Sequence, residues 1–298
     1  MPQPVPSAID LETRRGVLAW LDWYERMGVL DAVMEPGALQ QAAAEAAVAA
    51  PALAEPTGAE PMLPALDLGV PLAPAPPLAT SRAPARREGD RAAHARAIAA
   101  ACGSLAELEA ALERFEGCPL RETATRLCFA DGAPTAPLML IGEAPGAEED
   151  RQGRPFVGPS GQLLDRMLAA IGLDRGQVWI TNILFWRPPG NRTPTTIEVA
   201  TCQPFLERQI ELLAPRLILF LGGSAARALL DQDMGVTRLR GRSYVYRPAG
   251  LEPIPAHVTF HPAYLLRQPL QKRLVWRDLL AVRRRLDELL TGAGAAAM

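Results

Sequence analysis

Gly142-Glu143-Ala144-Pro145-Gly146-Ala147-Glu148-Glu149-Asp150, continued by Gly153-Arg154-Pro155-Phe156-Val157-Gly158, is the stretch from which the fold can be read. It follows Leu138-Met139-Leu140-Ile141, an uninterrupted apolar run of the kind that forms a strand buried on both faces. Gly161-Gln162-Leu163-Leu164-Asp165-Arg166-Met167-Leu168 follows with helical character. Acids, glycines and one aromatic therefore fall in a loop beyond the carboxyl end of a strand, where open α/β sheets place their ligands.

Outward from this loop, strands and helices alternate. Apolar runs predict strands at 137–142, 178–184, 217–222, 243–246 and 256–260. Helical spacing predicts helices at 160–171, 196–213, 223–231 and 272–290. That alternation indicates a parallel sheet covered on both faces, with right-handed crossovers. Upstream, residues 92–115 read as a helix broken near Gly103-Ser104, where Ser104 and Glu107 can form a capping box. Residues 118–135 read as a loop with a short strand. Residues 9–33 carry the spacing of an amphipathic helix, and residues 51–87 are dense in Pro and Ala without periodicity. The expected organisation is an N-terminal helix in 1–37, an Ala/Pro-rich disordered linker in 38–88 and a catalytic-sized domain in 89–298.

The chain of 298 residues has a formal net charge of −2, which conceals an uneven distribution. Residues 1–88 are acidic, and the part from Arg238 onward holds 11 basic against 4 acidic side chains. Positive charge gathered at one end suits a polyanionic partner, although a solvated basic face accounts for it equally well. Lys272 is the sole lysine, a bias that fits genome composition. Cys102, Cys118, Cys128 and Cys202 show no disulfide-framework spacing, and the Met1 end is polar and proline-bearing, unlike a signal peptide. No apolar run approaches the ~20 residues that span a bilayer. A cytoplasmic, reducing setting is expected.

Two further stretches end strands of the same sheet. Thr181-Asn182-Ile183-Leu184-Phe185-Trp186-Arg187-Pro188-Pro189-Gly190-Asn191-Arg192 delivers Asn182 to the sheet edge. Thr259-Phe260-His261-Pro262-Ala263-Tyr264-Leu265-Leu266-Arg267 places His261 at a strand terminus, with Pro262 expected to turn the chain into a loop. Singly, each is uninformative: a lone Asn at a strand end is commonly a turn former, and a lone His a satisfied polar group. The acidic loop lacks the spacing of phosphate-binding loops, and its carboxylates repel phosphate.

Together, in this order and spacing, Gly142-Glu143-Ala144-Pro145-Gly146, Pro155-Phe156-Val157-Gly158, Thr181-Asn182, Arg187-Pro188-Pro189 with Asn191-Arg192, and His261-Pro262-Ala263-Tyr264 resemble the family 4 uracil-DNA glycosylases, in the uracil-DNA glycosylase superfamily. The resemblance covers about residues 118–289. It implies a three-layer α/β/α sandwich with a central four-stranded parallel sheet. It also implies hydrolysis of the N-glycosidic bond of uracil in DNA, opening base-excision repair by a monomer. A base must leave the stack to be processed. The resemblance makes Phe156 the stacking surface, with Gly142, Ala144 and Pro145 in the pocket wall. Asn182 would read the uracil edge and His261 would donate to the departing base. Glu143 is the first choice for the carboxylate that stabilises the sugar cation and orients water, Glu149 the second and Asp150 the third. Leu265 or Leu266 would enter the stack and Arg267 would contact phosphate. Arg192, Arg240, Arg242, Lys272 and Arg273 are further phosphate-contact candidates.

The chain departs from the family at one place. Family 4 members carry four cysteines for an iron–sulfur cluster. Here Cys118 and Cys202 match two of them, while Phe115 and Trp186 stand at the other two. Cys128 does not fall at a ligand position. No cofactor is therefore expected, a 4Fe–4S cluster being the alternative. A non-catalytic binder of damaged or single-stranded DNA is the alternative function. The 9–33 helix is expected to dock on the catalytic domain or on a repair or replication protein.

Overall fold

A computed structural model describes residues 83–230, 234–248 and 252–292. The expected 9–33 helix and 38–88 linker lie outside the described residues.

The apolar runs form strands buried along their whole length: β2 (Leu138–Gly142), β3 (Val178–Asn182) and β4 (Leu217–Leu221), joined by β6 (Ile254–Thr259). These four run parallel, in the order β3-β2-β4-β6. The sheet is larger than the four parallel strands expected. A two-residue strand, β1 (Asp131–Gly132), adds antiparallel to β3, and β5 (Ser243–Tyr246) adds antiparallel to β6. The result is six-stranded and mixed. Both additions are edges, and β5 alternates exposed and buried side chains as an edge does.

Strand periodicity divides the core into two layers. Leu138, Leu140, Val178, Ile180, Leu217 and Leu219 pack with Leu163, Leu164, Met167, Val275 and Leu279. The last five lie on two helices, Pro159–Ala170 and Lys272–Thr291. Met139, Ile141, Ile218 and Phe220 face the other way, toward Leu108, Leu112, Phe205 and Ile210. Those belong to helices Leu105–Arg114 and Thr196–Leu213. Each such side chain fully buried contributes about 1.5–3 kcal/mol, so helices on both faces are what keeps an all-apolar strand in place.

The 92–115 expectation resolves into helices Ala83–Ala101 and Leu105–Arg114. Ser104 Oγ accepts from the Glu107 amide at 3.2 Å, and the Glu107 carboxylate accepts from the Gly103 amide at 2.7 Å. The first helix begins upstream of residue 89, so the expected domain start falls inside it.

Two segments expected as loops are short helices. Ala147–Gln152 begins after Gly146 and ends at Gly153, whose φ of 73° is the left-handed conformation of a helix end. Pro262–Arg267 starts on Pro262, because proline lacks only an N–H that the first helical turn leaves unpaired anyway.

Candidate active site

The carboxyl ends of β2, β3 and β6 bring the candidate residues together. Gly142 and Asn182 are direct partners across the β2–β3 ladder, and the pairing continues as the Ile183 amide donates to the Gly142 carbonyl at 3.0 Å. Thr181, just before Asn182, is anchored by its hydroxyl to the Phe129 carbonyl at 2.7 Å. A Cβ on residue 142 would lie 2.4 Å from Asn182 Oδ1 and 2.6 Å from Phe156 Cζ. Glycine is required there because an amide and an aromatic ring converge on its α-carbon. The Phe156 ring in turn lies 5.5 Å from the His261 ring, inclined at 32°. Glu143, Ala144, Pro145, Gly146, Arg192, His261, Tyr264 and Arg267 line a crevice of about 340 Å³; Asn182 and Phe156 are not part of its wall, and the contact between the Phe156 and His261 rings connects them to it.

Asn182 is 1 % exposed, and its Oδ1 has no hydrogen-bond partner. A buried amide oxygen left unpaired costs on the order of 1–3 kcal/mol. A ligand that presents an N–H to it removes that cost.

His261 caps the helix Pro262–Arg267: its Nδ1 accepts from the Ala263 amide at 3.1 Å. With Nδ1 an acceptor, the proton of the neutral ring sits on Nε2, which is free to donate. Burial pushes the His261 pKa down to about 4, with Arg267 pushing the same way and Glu149 opposing. The group is therefore neutral above about pH 5, poised as an uncharged donor. Gly222, at φ 99°, passes below it; a Cβ there would come within 3.3 Å of His261 Cβ. We expect an imidazole NMR titration to show no His261 transition between pH 5.5 and 8, with Nε2 protonated throughout; a midpoint near 6.5 would contradict this environment.

The acids divide sharply. Glu143 lines the crevice, and no hydrogen bond or ion pair engages its carboxylate among the described residues. Glu149, expected as a second catalytic choice, is instead a buried clamp. Its Oε1 accepts from the Val157 and Gly158 amides at 2.9 Å each, and its Oε2 from the Gly146 amide at 3.1 Å. These bonds tie the start of one loop to the end of the other. Asp150 is also committed, accepting from the amides of Thr125 and Arg126 and from the Thr125 hydroxyl.

The rim differs from the expected one. Leu265 is fully buried beneath the helix Pro262–Arg267 and packs in the core, so it is not available to enter a DNA stack. Leu266 is 43 % exposed, and Arg267 is exposed. Arg192 makes a two-pronged pair with Glu198, at 2.9 and 2.5 Å, which fixes its loop on the start of helix Thr196–Leu213. Arg240 pairs with the buried Asp278 and lies over the Phe260 ring at 5.5 Å. Lys272 is buried; Arg242 and Arg273 are exposed.

Comparison with known proteins places the chain in a family. Residues 129–280 fit the model of the uracil DNA glycosylase superfamily. The chain belongs to that superfamily. It is 38 % identical over 186 residues to a type-4 uracil-DNA glycosylase of Sulfurisphaera tokodaii, covering 60 % of this chain and 84 % of that protein. It is 40 % identical to a type-4 uracil-DNA glycosylase of Pyrobaculum aerophilum, covering 59 % and 91 %, and 39 % identical to one of Thermotoga maritima, covering 56 % and 87 %.

An iron–sulfur cluster held at Cys118 and Cys202 would need two further donors beside them. The Cys202 thiol donates to Cys118 Sγ at 3.8 Å, and both are buried. Phe115 and Trp186 are buried in the same core layer, and the Phe115 ring packs on Phe205 at 4.9 Å. Cys128 is engaged elsewhere: its Sγ donates to the Glu149 carbonyl at 3.1 Å, and burial pushes its pKa up to about 12. Two thiols and two aromatic side chains do not fit a group that needs four donors. Among the described residues no group of three or more His, Cys, Asp or Glu is arranged to hold a metal ion, and no helix is long and apolar enough to cross a membrane.

Sequence reading missed one part of the site. Phe156 has φ 55°, the left-handed region rarely adopted by an aromatic residue. Arg175 donates to its carbonyl oxygen from behind. No motif marks Arg175 because its partners come from distant segments.

Proposed function

We propose that the protein is a uracil-DNA glycosylase, which hydrolyses the bond between N1 of uracil and C1′ of deoxyribose and leaves an abasic site for base-excision repair. Superfamily membership and the type-4 relatives support the activity. The observation that carries the chemistry is the buried, unpaired Asn182 Oδ1 facing Phe156 across Gly142.

The substrate is DNA with the uracil turned out of the stack. The extruded base lies on the Phe156 ring. Asn182 Oδ1 accepts from N3–H, and its amide group donates to O4. Cytosine offers an acceptor at N3 and a donor at C4, leaving both Asn182 groups mispaired, which is costly in a buried site. As the N1–C1′ bond breaks, the electron pair stays with the base and the sugar becomes cationic. His261 Nε2–H donates to O2 as its negative charge grows. The Glu143 carboxylate stabilises the sugar cation and orients the water that adds to C1′; the uracil anion takes up the remaining proton. Leu266 and Arg267 stand on the rim where the DNA strand passes, Leu266 to occupy the space the base vacates and Arg267 to meet phosphate.

The protein performs this without an iron–sulfur cluster, because Phe115 and Trp186 fill the space around Cys118 and Cys202 with apolar packing. Anaerobically purified protein is expected to contain well under one iron per chain and to cleave normally; brown protein with stoichiometric iron and acid-labile sulfide would contradict this.

The activity is tested with an oligonucleotide containing one uracil, single-stranded or paired with guanine. Release of free uracil and alkali-labile cleavage at that position are expected without added metal. Tight binding without an abasic product on either substrate would leave a non-catalytic DNA binder instead.

A further inference from the structure

We infer that Arg175 is the positioning residue that holds Phe156 in place to receive uracil, acting through the carbonyl oxygens of Phe156 and Pro155. The inference rests on the reading of Phe156 as the surface on which the extruded base lies.

Phe156 occupies a sparsely populated backbone region, and its neighbours must over-determine it for the conformation to persist. Part of the restraint is steric. Gly161, in the first turn of helix Pro159–Ala170, is so close that a Cβ there would lie 1.8 Å from the Phe156 oxygen. This contact limits where the carbonyl can go, but supplies no attraction to keep it there. Arg175 supplies the attraction. It lies in the turn Arg175–Gln177, just before β3, and reaches across to the loop. Its Nη2 donates to the Phe156 oxygen and its Nη1 to the Pro155 oxygen at 3.3 Å.

The guanidinium is itself held on its other edges. Nε donates to Asp165 Oδ1 at 2.6 Å, and Nη1 donates to Asp131 Oδ2 at 2.6 Å. Asp131 also accepts from Arg154, two residues before Phe156, at 3.0 and 2.9 Å. This gives the two-residue strand β1 a purpose: pairing with β3 fixes Asp131 beside Arg175. A planar fork with five donors spread over three nitrogens serves two carboxylates and two carbonyls at once; a lysine ammonium has three donors, all on one nitrogen. The group touches none of the residues proposed to meet the base except Phe156, and that only through its backbone, so it is placed to orient the ring and not to react.

The test is a double-variant cycle read by single-turnover uracil release, with DNA affinity and thermal melting measured beside it. Arg175→Ala is expected to lower the rate about 10–100-fold, the scale of a small misplacement of a reacting partner, with DNA affinity little changed. In a Phe156→Ala background the same change is expected to cost less than about threefold, because the ring it positions is gone. A general structural role would multiply the two losses instead. Should Arg175→Ala fail to fold, Arg175→Lys keeps the charge between Asp131 and Asp165 while losing the fork, and the same non-additivity is expected. A wild-type rate in the folded variant, or additive losses, would overturn the inference. Absence of uracil release by the wild type would instead defeat the functional reading beneath it.

Discussion

Replacing His261 by alanine is expected to lower the single-turnover rate of uracil release by about 10²–10³-fold, with the affinity for uracil-containing DNA changing only a few-fold. The asymmetry follows from geometry. Nδ1 is held by the Ala263 amide, so Nε2 carries the proton and can donate. The pKa of about 4 keeps the ring neutral, so its attraction for an uncharged uracil is weak in the ground state and grows only as O2 becomes negative. Single-turnover kinetics beside equilibrium binding separates the two effects. Loss of binding with an unchanged cleavage step would assign His261 to recognition. Glutamine in its place should recover part of the rate if its amide reaches O2, while losing the cap on helix Pro262–Arg267.

Asn182→Ala is the second large effect. Removing the amide takes away the acceptor for N3–H and the donor to O4 together, about 10²–10³-fold in cleavage at ~1–3 kcal/mol per lost buried contact. The carved space would also lose its preference between pyrimidines. The loss should therefore appear on uracil substrates while any trace activity on cytosine rises in proportion. Cleavage of uracil at the wild-type rate would mean that another group reads the base. Because Asn182 Oδ1 has no protein partner, the variant should be no less stable than the wild type. A falling melting temperature would indicate that Asn182 holds the strand ends and not the ligand.

The fold was legible where burial on both faces writes itself into composition. Leu138–Ile141, Val178–Ile180 and Leu217–Leu221 are uninterrupted apolar runs, and all became inner parallel strands. The edge strand Ser243–Tyr246 is also where the apolar spacing puts it, but the edge strand at 131–132 is harder to place. Asp131–Gly132 has no apolar pattern at all, since its place comes from pairing with Trp179 and Ile180. Pro262 reads as a loop signal in the sequence because proline both ends and begins helices, and only the capping bond from the Ala263 amide to His261 decides which.

The site was legible in residue type but not in job. Glu143, Glu149 and Asp150 lie within eight positions and look interchangeable in one dimension. Glu149 and Asp150 sit in a helical turn that points both carboxylates at backbone amides of other loops, whereas Glu143 stays on the crevice. Leu265 and Leu266 are adjacent and chemically alike, and the helix that begins at Pro262 turns one into the core and the other outward. Arg175 was invisible because its meaning depends on Asp131, Asp165 and Phe156, 44, 10 and 19 positions away. The substitutions Phe115 and Trp186 at cluster positions were readable directly, since neither side chain has a donor for iron.

The central claim is that the crevice reads uracil through N3–H against Asn182 Oδ1. The most direct test compares single-turnover cleavage of two single-stranded oligonucleotides that differ only by a methyl group, one carrying uracil and the other N3-methyluracil. Single strands remove any contribution from base pairing. The account predicts rapid release of uracil and release of N3-methyluracil at least about 10²-fold slower, since the methyl both deletes the donor and meets a buried oxygen. Comparable rates for the two would contradict it.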